Sequence, residues 1–404
     1  GRPGPVVVAL PEDVLTQSAE IEIPTTEILA PKSAAVAADL EQLAVKLQSA
    51  ERPVILAGGG RWDAQDRSAL QACAHKLNIP VVTGFRYHDL FDNTDPLFVG
   101  EAGVGMTANT KRVLTEADAV LAVNLRFGEM TTDAFTLFGA NRGAQWIAQS
   151  HRSGDEFHKY VAPNLSMISD PAPLLQGLMA RLEAPALRQD PAWAKSARAG
   201  FDAAQTAKAQ PSPVDVGVVT RTVQAMLPAD AIVTNGAGNF AIWPNKFMQF
   251  SQHQRLLAPQ SGAMGYGLPA AIAAKVEYPE RCVVCFAGDG DFQMNCQELG
   301  AALQAQARPI VLIVNNGSYG TIRMHQERHF PRRVSGTEMI NPDFTTLARA
   351  YGFHGERVAR TKEFAEAFSR ALASPTGAVL DLNVASEAIT PAMTIKDLQA
   401  LSEH

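Results

Sequence analysis

Cysteine is scarce in this chain: Cys73, Cys282, Cys285 and Cys296 are the only four among 404 residues. That density excludes a disulfide framework and makes a reducing cytoplasm the expected compartment. Cys282 and Cys285 have the spacing of a metal or redox pair, but they lie inside the apolar run RCVVCFAG. Residues three apart on a strand point to opposite faces, so two buried packing thiols are expected there. Charge is sparse as well. Charged residues make up 19% of the chain, and 35 Lys and Arg against 41 Asp and Glu leave a net charge of −6. No basic stripe is present to release counterions, so no nucleic-acid partner is expected. No apolar run approaches the ~18–20 residues that span a bilayer, so no membrane partner is expected either. The opening GRPGPVVVALPEDV has no basic start followed by an apolar stretch and a small-residue cleavage site, and does not read as a signal peptide.

Apolar residues are plentiful, at 46%, which fits a well-packed globule. The length predicts two or three domains. Residues 5–10, PVVVAL, read as a short buried strand, and the proline-containing 18–35 as a linker. Helical spacing follows from Ala34 to Ser49 and from Ser68 to Leu77. Between and after these lie the strand-like runs RPVILAGGG, NIPVVTG, ADAVLAVNLRF, QWIAQ and NLSMI. Strands alternating with helices predict a parallel α/β sheet. Residues 184–213 shift to Ala, Gln and Pro and read as a second linker, after which the alternation restarts and runs to AVLDLNV at 378–384. The expected class is α/β, with two doubly wound parallel-sheet domains behind a fragment of a third. The expected boundaries are 1–17 for the fragment, 18–185 for the central domain, 186–213 for the linker and 214–404 for the last domain.

The chemistry concentrates where the run RCVVCFA ends in Gly288-Asp289-Gly290-Asp291 and turns into helical spacing, FQMNCQELGAALQAQ. In an open α/β sheet, ligands sit at the carboxyl ends of strands. Glycines there let backbone approach a ligand closely, and the N-terminus of the following helix suits a phosphate. The next strand, PIVLIV, follows a helical crossover, so it should lie parallel and adjacent. It ends in Asn315-Asn316-Gly317. Asp289 and Asn316 therefore face one crevice with a carboxylate and an amide oxygen. One carboxylate with neutral oxygens beside phosphate-binding amides is how Mg²⁺ is usually held.

These residues resemble the thiamine diphosphate motif. The wider stretch GDGDFQMNCQELGAALQ…VNNGSYGTIR resembles the acetolactate synthase-like group of that superfamily, and the resemblance covers essentially the whole chain. It implies a thiamine diphosphate- and Mg²⁺-dependent decarboxylase or carboligase, a lyase or transferase, acting on a 2-oxo acid as a homodimer or homotetramer. Residue by residue, it implies that Asp289, Asn316 and the carbonyl of Ser318 hold Mg²⁺. Gly288, Gly290, Asp291, Tyr319, Gly320 and Thr321 would line the diphosphate. In TNGAGNFAIW, Gly238, Asn239 and Phe240 would lie near the terminal phosphate. In SGAMGYGLPAA, Met264 would be the apolar wedge under the bent cofactor, and the Gly262 carbonyl would accept from its aminopyrimidine. The family often has Ser where this chain has Asp291, since a hydroxyl donates to phosphate and a carboxylate does not. Asp291 also reads as a helix N-cap.

Two departures matter. The family's activating glutamate lies on a pyrimidine-binding domain, and no glutamate here matches it. The resemblance makes residues 1–17 the tail of that domain, the rest being truncated or on a separate chain, and no catalytic base is expected within this chain, which alone would be inactive. Acetolactate synthases also bind FAD in the central domain. Here GVGMTAN (103–109) resembles one of their flavin segments, but Arg126-Phe127-Gly128-Glu129-Met130 lacks the acidic pair and second arginine of the other, and RPVILAGGG lacks the G-x-G-x-x-G spacing. FAD is not expected. The histidine-bearing stretch Arg323 to His329 reads either as a substrate rim or as a solvated loop. Two rival readings stay open: a non-catalytic relic that keeps the fold and binds cofactor weakly, and a Mg²⁺-dependent phosphotransferase with Asp289 as nucleophile.

Overall fold

The computed structural model describes residues 4–26, 30–139, 143–182, 190 and 192–401. Two six-stranded, all-parallel sheets carry the architecture. The first contains β1 (Pro53–Ala57), β2 (Val81–Gly84), β3 (Phe98–Ala102), β4 (Ala119–Val123), β5 (Trp146–His151) and β6 (Leu165–Ile168), in the order β3-β2-β1-β4-β5-β6. The second contains β7 (Ile232–Asn235), β8 (Arg255–Leu257), β9 (Val283–Gly288), β10 (Ile310–Asn315), β11 (His354–Val358) and β12 (Ala378–Asn383), in the order β11-β12-β10-β9-β7-β8.

The apolar runs become central strands because helices cover both faces, so every residue of such a strand is buried. Val54 and Leu56 of β1 join one apolar cluster while Ile55 and Ala57 join the other. In β9, Val284 and Phe286 face one side and Val283, Cys285 and Ala287 the other. Two α/β domains result. Each sheet has one point where consecutive strands depart in opposite directions, between β1 and β4 and between β7 and β9. In such sheets this is where a crevice opens at the strand ends. The domains are stitched together by the loop after β2: Asn93 N donates to Phe250 O and Phe250 N donates to Asn93 Oδ1, both at 2.9 Å.

Several expectations are corrected. Residues 5–10 form no strand, and Val6, Val7 and Val8 are 85%, 93% and 72% exposed, ahead of a short helix Glu12–Leu15. A strand needs a neighbour for its backbone groups, and none of the described strands pairs with this segment. The stretch 186–213, expected as a linker, contains helix Trp193–Ala203, while residues 186–189 and 191 lie outside the described residues. Its alanine-rich composition hides an i, i+4, i+8 stripe, Trp193, Ala197 and Phe201, that packs on the first domain. Trp193 Nε1 donates to Pro53 O at 2.9 Å. The segment after GDGD is not one helix but three short pieces, Asp289–Gln293, Cys296–Glu298 and Leu299–Gln304. Strands β3, β8 and β11 carry no apolar run long enough to stand out. Among the described residues, no helix is long and apolar enough to cross a membrane. The thiols behave as packing groups: Cys285 is fully buried and Cys282 half-buried, and burial pushes them up to about 12 and about 11.

Truncating Trp193 to alanine removes an indole that is 4% exposed, together with its hydrogen bond to the Pro53 carbonyl. The expected loss is about 3–5 kcal/mol, read as an earlier first-domain transition in denaturant. An unchanged midpoint would mean the helix is not part of that domain's core.

Candidate cofactor and metal site

Asp289 follows β9 directly, and its side chain is the knot of the strand-end crevice. Its Oδ1 accepts from Gly290 N at 2.9 Å, and its Oδ2 accepts from Gly317 N at 2.8 Å and from Asn341 Nδ2 at 2.7 Å. Gly317 is the middle of the turn Asn316–Ser318 that follows β10, adjacent to β9 with Val314 opposite Gly288. The carboxylate is 3% exposed, and burial pushes it up from its ordinary value while those donors pull it down. A bound cation would offset the same desolvation cost. Asn316 Oδ1 accepts from Ser318 N at 3.0 Å, and the Ser318 carbonyl accepts from Gly320 N at 2.8 Å. Carbonyl-type oxygens keep a second lone pair, so a carboxylate and two neutral oxygens are available in one turn region. Among the described residues no three His, Cys, Asp or Glu side chains cluster as a metal site. A cation here would depend on a ligand's own oxygens to complete its shell.

The expected diphosphate residues surround this turn. Thr321 Oγ1 accepts from Asn239 N and donates to Asn239 Oδ1, both at 3.0 Å, so the β7 loop and the helix Gly320–His329 meet. A Cβ on Gly288 or Gly238 would lie 2.8 or 2.9 Å from the Phe240 ring, and one on Gly290 would lie 2.7 Å from Tyr319. These glycines are required by close approach. Gly262 has φ +73 in the turn before helix Gly267–Glu277, and Met264 beside it is 38% exposed. The structure thus brings together Gly238, Asn239, Phe240, Gly288, Asp289, Gly290, Asn316, Ser318, Tyr319, Gly320 and Thr321.

Asp291 is not the helix N-cap that one reading of it expected: helix Asp289–Gln293 is capped by Gly288. Its Oδ1 accepts from Gly265 N at 2.9 Å and Ala237 N at 3.0 Å. The group is 3% exposed, and burial pushes it up to about 6. The stretch Arg323–His329 is helical rather than a loop, and within it the fully buried Glu327 accepts from Arg323 Nε at 3.0 Å, Arg332 N at 2.8 Å and Gln399 Nε2 at 3.0 Å. His325 and His329 stack on its exposed face with ring centroids 6.4 Å apart. Asn341 had no signal in the sequence. It comes from a distant loop that pairs with the turn after β10 through the Ser318–Glu338 bridge, and it also donates to Asn315 Oδ1 at 2.9 Å.

The first domain's glycine-rich turn has the opposite polarity from a phosphate cradle. Its carbonyls face donors: Gly58 O accepts from Trp62 Nε1 at 2.8 Å, and Gly60 O from Asn124 Nδ2 at 3.0 Å and Arg152 Nη1 at 2.6 Å. Arg152, 7% exposed at its side chain, is paired with Asp170 and lies 3.6 Å from Asp66. The N-terminus of the adjoining helix Ala64–Leu77 already holds the carboxylates of Asp63 and Asp66 in a capping box. A dinucleotide pyrophosphate would meet two carboxylates there, at a helix end whose amides they already take, so these residues do not fit FAD.

Two profiles of one family match the chain: "Thiamine pyrophosphate enzyme, C-terminal TPP binding domain" over residues 236–382, and "Thiamine pyrophosphate enzyme, central domain" over residues 40–178. Among curated proteins, the acetolactate synthase large subunit of Parasynechococcus marenigrum is 30% identical over 95% of this chain and 63% of its own length. The acetolactate synthase isozyme 2 large subunit of Escherichia coli is 27% identical over 95% of this chain and 69% of its own. The sulfoacetaldehyde acetyltransferase of Rhodobacter capsulatus is 31% identical over 91% of this chain and 66% of its own. The chain therefore spans roughly two thirds of the length of these relatives.

The filled turn at Gly58–Gly60 carries a prediction. Purified protein should show no flavin absorbance, and added FAD should leave its thermal transition unmoved. A yellow preparation that releases FAD on denaturation would overturn the assignment.

Proposed function

The chain belongs to the thiamine pyrophosphate enzyme family, and from that premise we propose that it forms the diphosphate- and Mg²⁺-holding part of a decarboxylase or carboligase acting on a 2-oxo acid. The observation that carries this reading is the Asp289 carboxylate bonded to the turn that bears Asn316 and Ser318. In it, Asp289, Asn316 Oδ1 and the Ser318 carbonyl would hold the cation beside the diphosphate. Gly290, Tyr319, Gly320 and Thr321 line the diphosphate, and Gly238, Asn239 and Phe240 its outer end. Bound thiamine diphosphate supplies a carbon nucleophile and an electron sink for loss of CO₂. This chain's residues bind and orient: Met264 offers an apolar surface under the bend, and the Gly262 carbonyl an acceptor.

Relatives named for acetolactate synthesis and for sulfoacetaldehyde acetyl transfer match at similar identity, which supports the broader class of carbon–carbon chemistry rather than one substrate. The apolar rim of Met264, Tyr266, Tyr319, Ile322 and Ile340, each at least 36% exposed, supports a homodimer or homotetramer in which another domain covers the site. Asp291, a carboxylate where the family often has a hydroxyl, has a structural task of its own between Gly265 and Ala237.

The test is calorimetric titration of the full-length protein with thiamine diphosphate, with and without Mg²⁺. Asp289→Ala is expected to abolish Mg²⁺-dependent binding, and Asn341→Ala to weaken it about tenfold, as for one lost hydrogen bond to a charged group. Unchanged Mg²⁺ dependence in Asp289→Ala would show that the site is elsewhere.

A further inference from the structure

Segment 259–265 carries Gly262 and Met264, and two charged side chains hold it from opposite ends. At its start, Arg86 reaches across from the first domain. Its Nη1 donates to the Pro259 carbonyl, and its own carbonyl accepts from Gln260 Nε2 at 3.1 Å. Arg86 is 7% exposed and has φ +64, a left-handed conformation that a non-glycine residue keeps only where its surroundings impose it. Glu101 imposes it: Oε1 accepts the Arg86 backbone N–H, and Oε2 lies 3.2 Å from His88 Nε2. At the segment's other end, Asp291 accepts from Gly265 N, and Asn295 Nδ2 donates to Gly265 O at 2.7 Å. Burial lowers the Arg86 guanidinium from its usual value, and the carboxylates of Glu101 and Asp291 oppose that. The two clamps hold opposite ends of one short segment. Within it, Gly262 and the held Gly265 have φ +73 and +80. Such glycines lose the most conformational freedom on ordering.

We propose that Arg86 and Asp291 are a cross-domain pair of positioning residues that preset segment 259–265 for the bent cofactor. The inference rests on the reading above, in which this segment meets thiamine diphosphate. It gives the first domain a part in cofactor binding without contact to the cofactor. Asp291 then acts through the backbone of Gly265 and Ala237 rather than on phosphate, which accounts for a carboxylate at this position. Ordering the segment before the ligand arrives removes that entropy from the binding step.

The experiment uses the full-length protein and the variants Arg86→Lys, Arg86→Gln, Asp291→Ala and the Arg86→Gln/Asp291→Ala double variant. Two quantities are read: amide hydrogen exchange of the cofactor-free protein across residues 259–267, and calorimetric affinity for thiamine diphosphate with Mg²⁺. Arg86→Gln should exchange about tenfold faster in that segment, with β9 and β10 unchanged. It should bind about tenfold more weakly, as for one lost charge-assisted hydrogen bond. Arg86→Lys should recover most of both effects, because an ammonium still reaches a carbonyl, and a merely structural defect would not be rescued in this way. The double variant should lose less than the product of the single losses. If Asp291→Ala does not fold, the Arg86 pair decides alone, since Arg86 lies in the other domain. Wild-type binding with Arg86→Gln unchanged in exchange, or changed in exchange but not in affinity, overturns the inference alone. Wild-type protein that binds no thiamine diphosphate overturns the proposed function and this inference with it.

Discussion

One buried carboxylate, Asp289, organises the second domain's strand-end crevice. A charge out of water requires donors, and three neutral ones converge on it, from Gly290, Gly317 and Asn341. Each comes from a different piece of chain, so satisfying one side chain fixes the loop after β9, the turn after β10 and a loop far along the chain. The network continues from Asn341 to Asn315, and from Asn315 Nδ2 to Asp381 Oδ1 on β12 at 2.9 Å. The strand order β12-β10-β9 is therefore part of the site's construction.

The two domains share a doubly wound architecture and differ in how they use its crevice. In the second, glycines at the β7/β9 departure point pack against Phe240 and Tyr319, and the oxygens of Asn316 and Ser318 lie in the turn bonded to Asp289. In the first, the corresponding point is occupied by the chain's own Arg152, Asn124 and Trp62, with Asp63 and Asp66 at the helix end where an anion would otherwise sit. Fold alone does not assign function, and here the polarity of a few loop atoms separates the two crevices. The first domain meets the second through Asn93 and Arg86, both on the loop that leaves β2.

Legibility followed from locality. Runs such as VVCFAG and IVLIVN were readable as buried parallel strands because full burial requires continuous apolar residues. Gly288-Asp289-Gly290 and Asn316 were readable because their neighbours in sequence are also their neighbours at the strand ends. Helix Trp193–Ala203 was not, since its stripe of Trp193, Ala197 and Phe201 sits in an alanine-rich stretch and only its contact with the first domain shows that the stripe is buried. Nor was the helicity of Arg323–His329, whose buried Glu327 meets Gln399 from far along the chain.

The sequence by itself determined the alternation of strands and helices, the two parallel sheets and the turn that brings Asp289 to a strand end, because periodicity and glycine placement act over a few residues. Only the tertiary structure decided what Asp291 does, that Asn341 supports Asp289, that Arg86 crosses to Pro259, and that Arg152 fills the first crevice. Each of those is a polar group buried by folding, and a buried polar group takes whichever partner the packing brings within about 3 Å. That partner lies far away in the chain, and no local pattern records it.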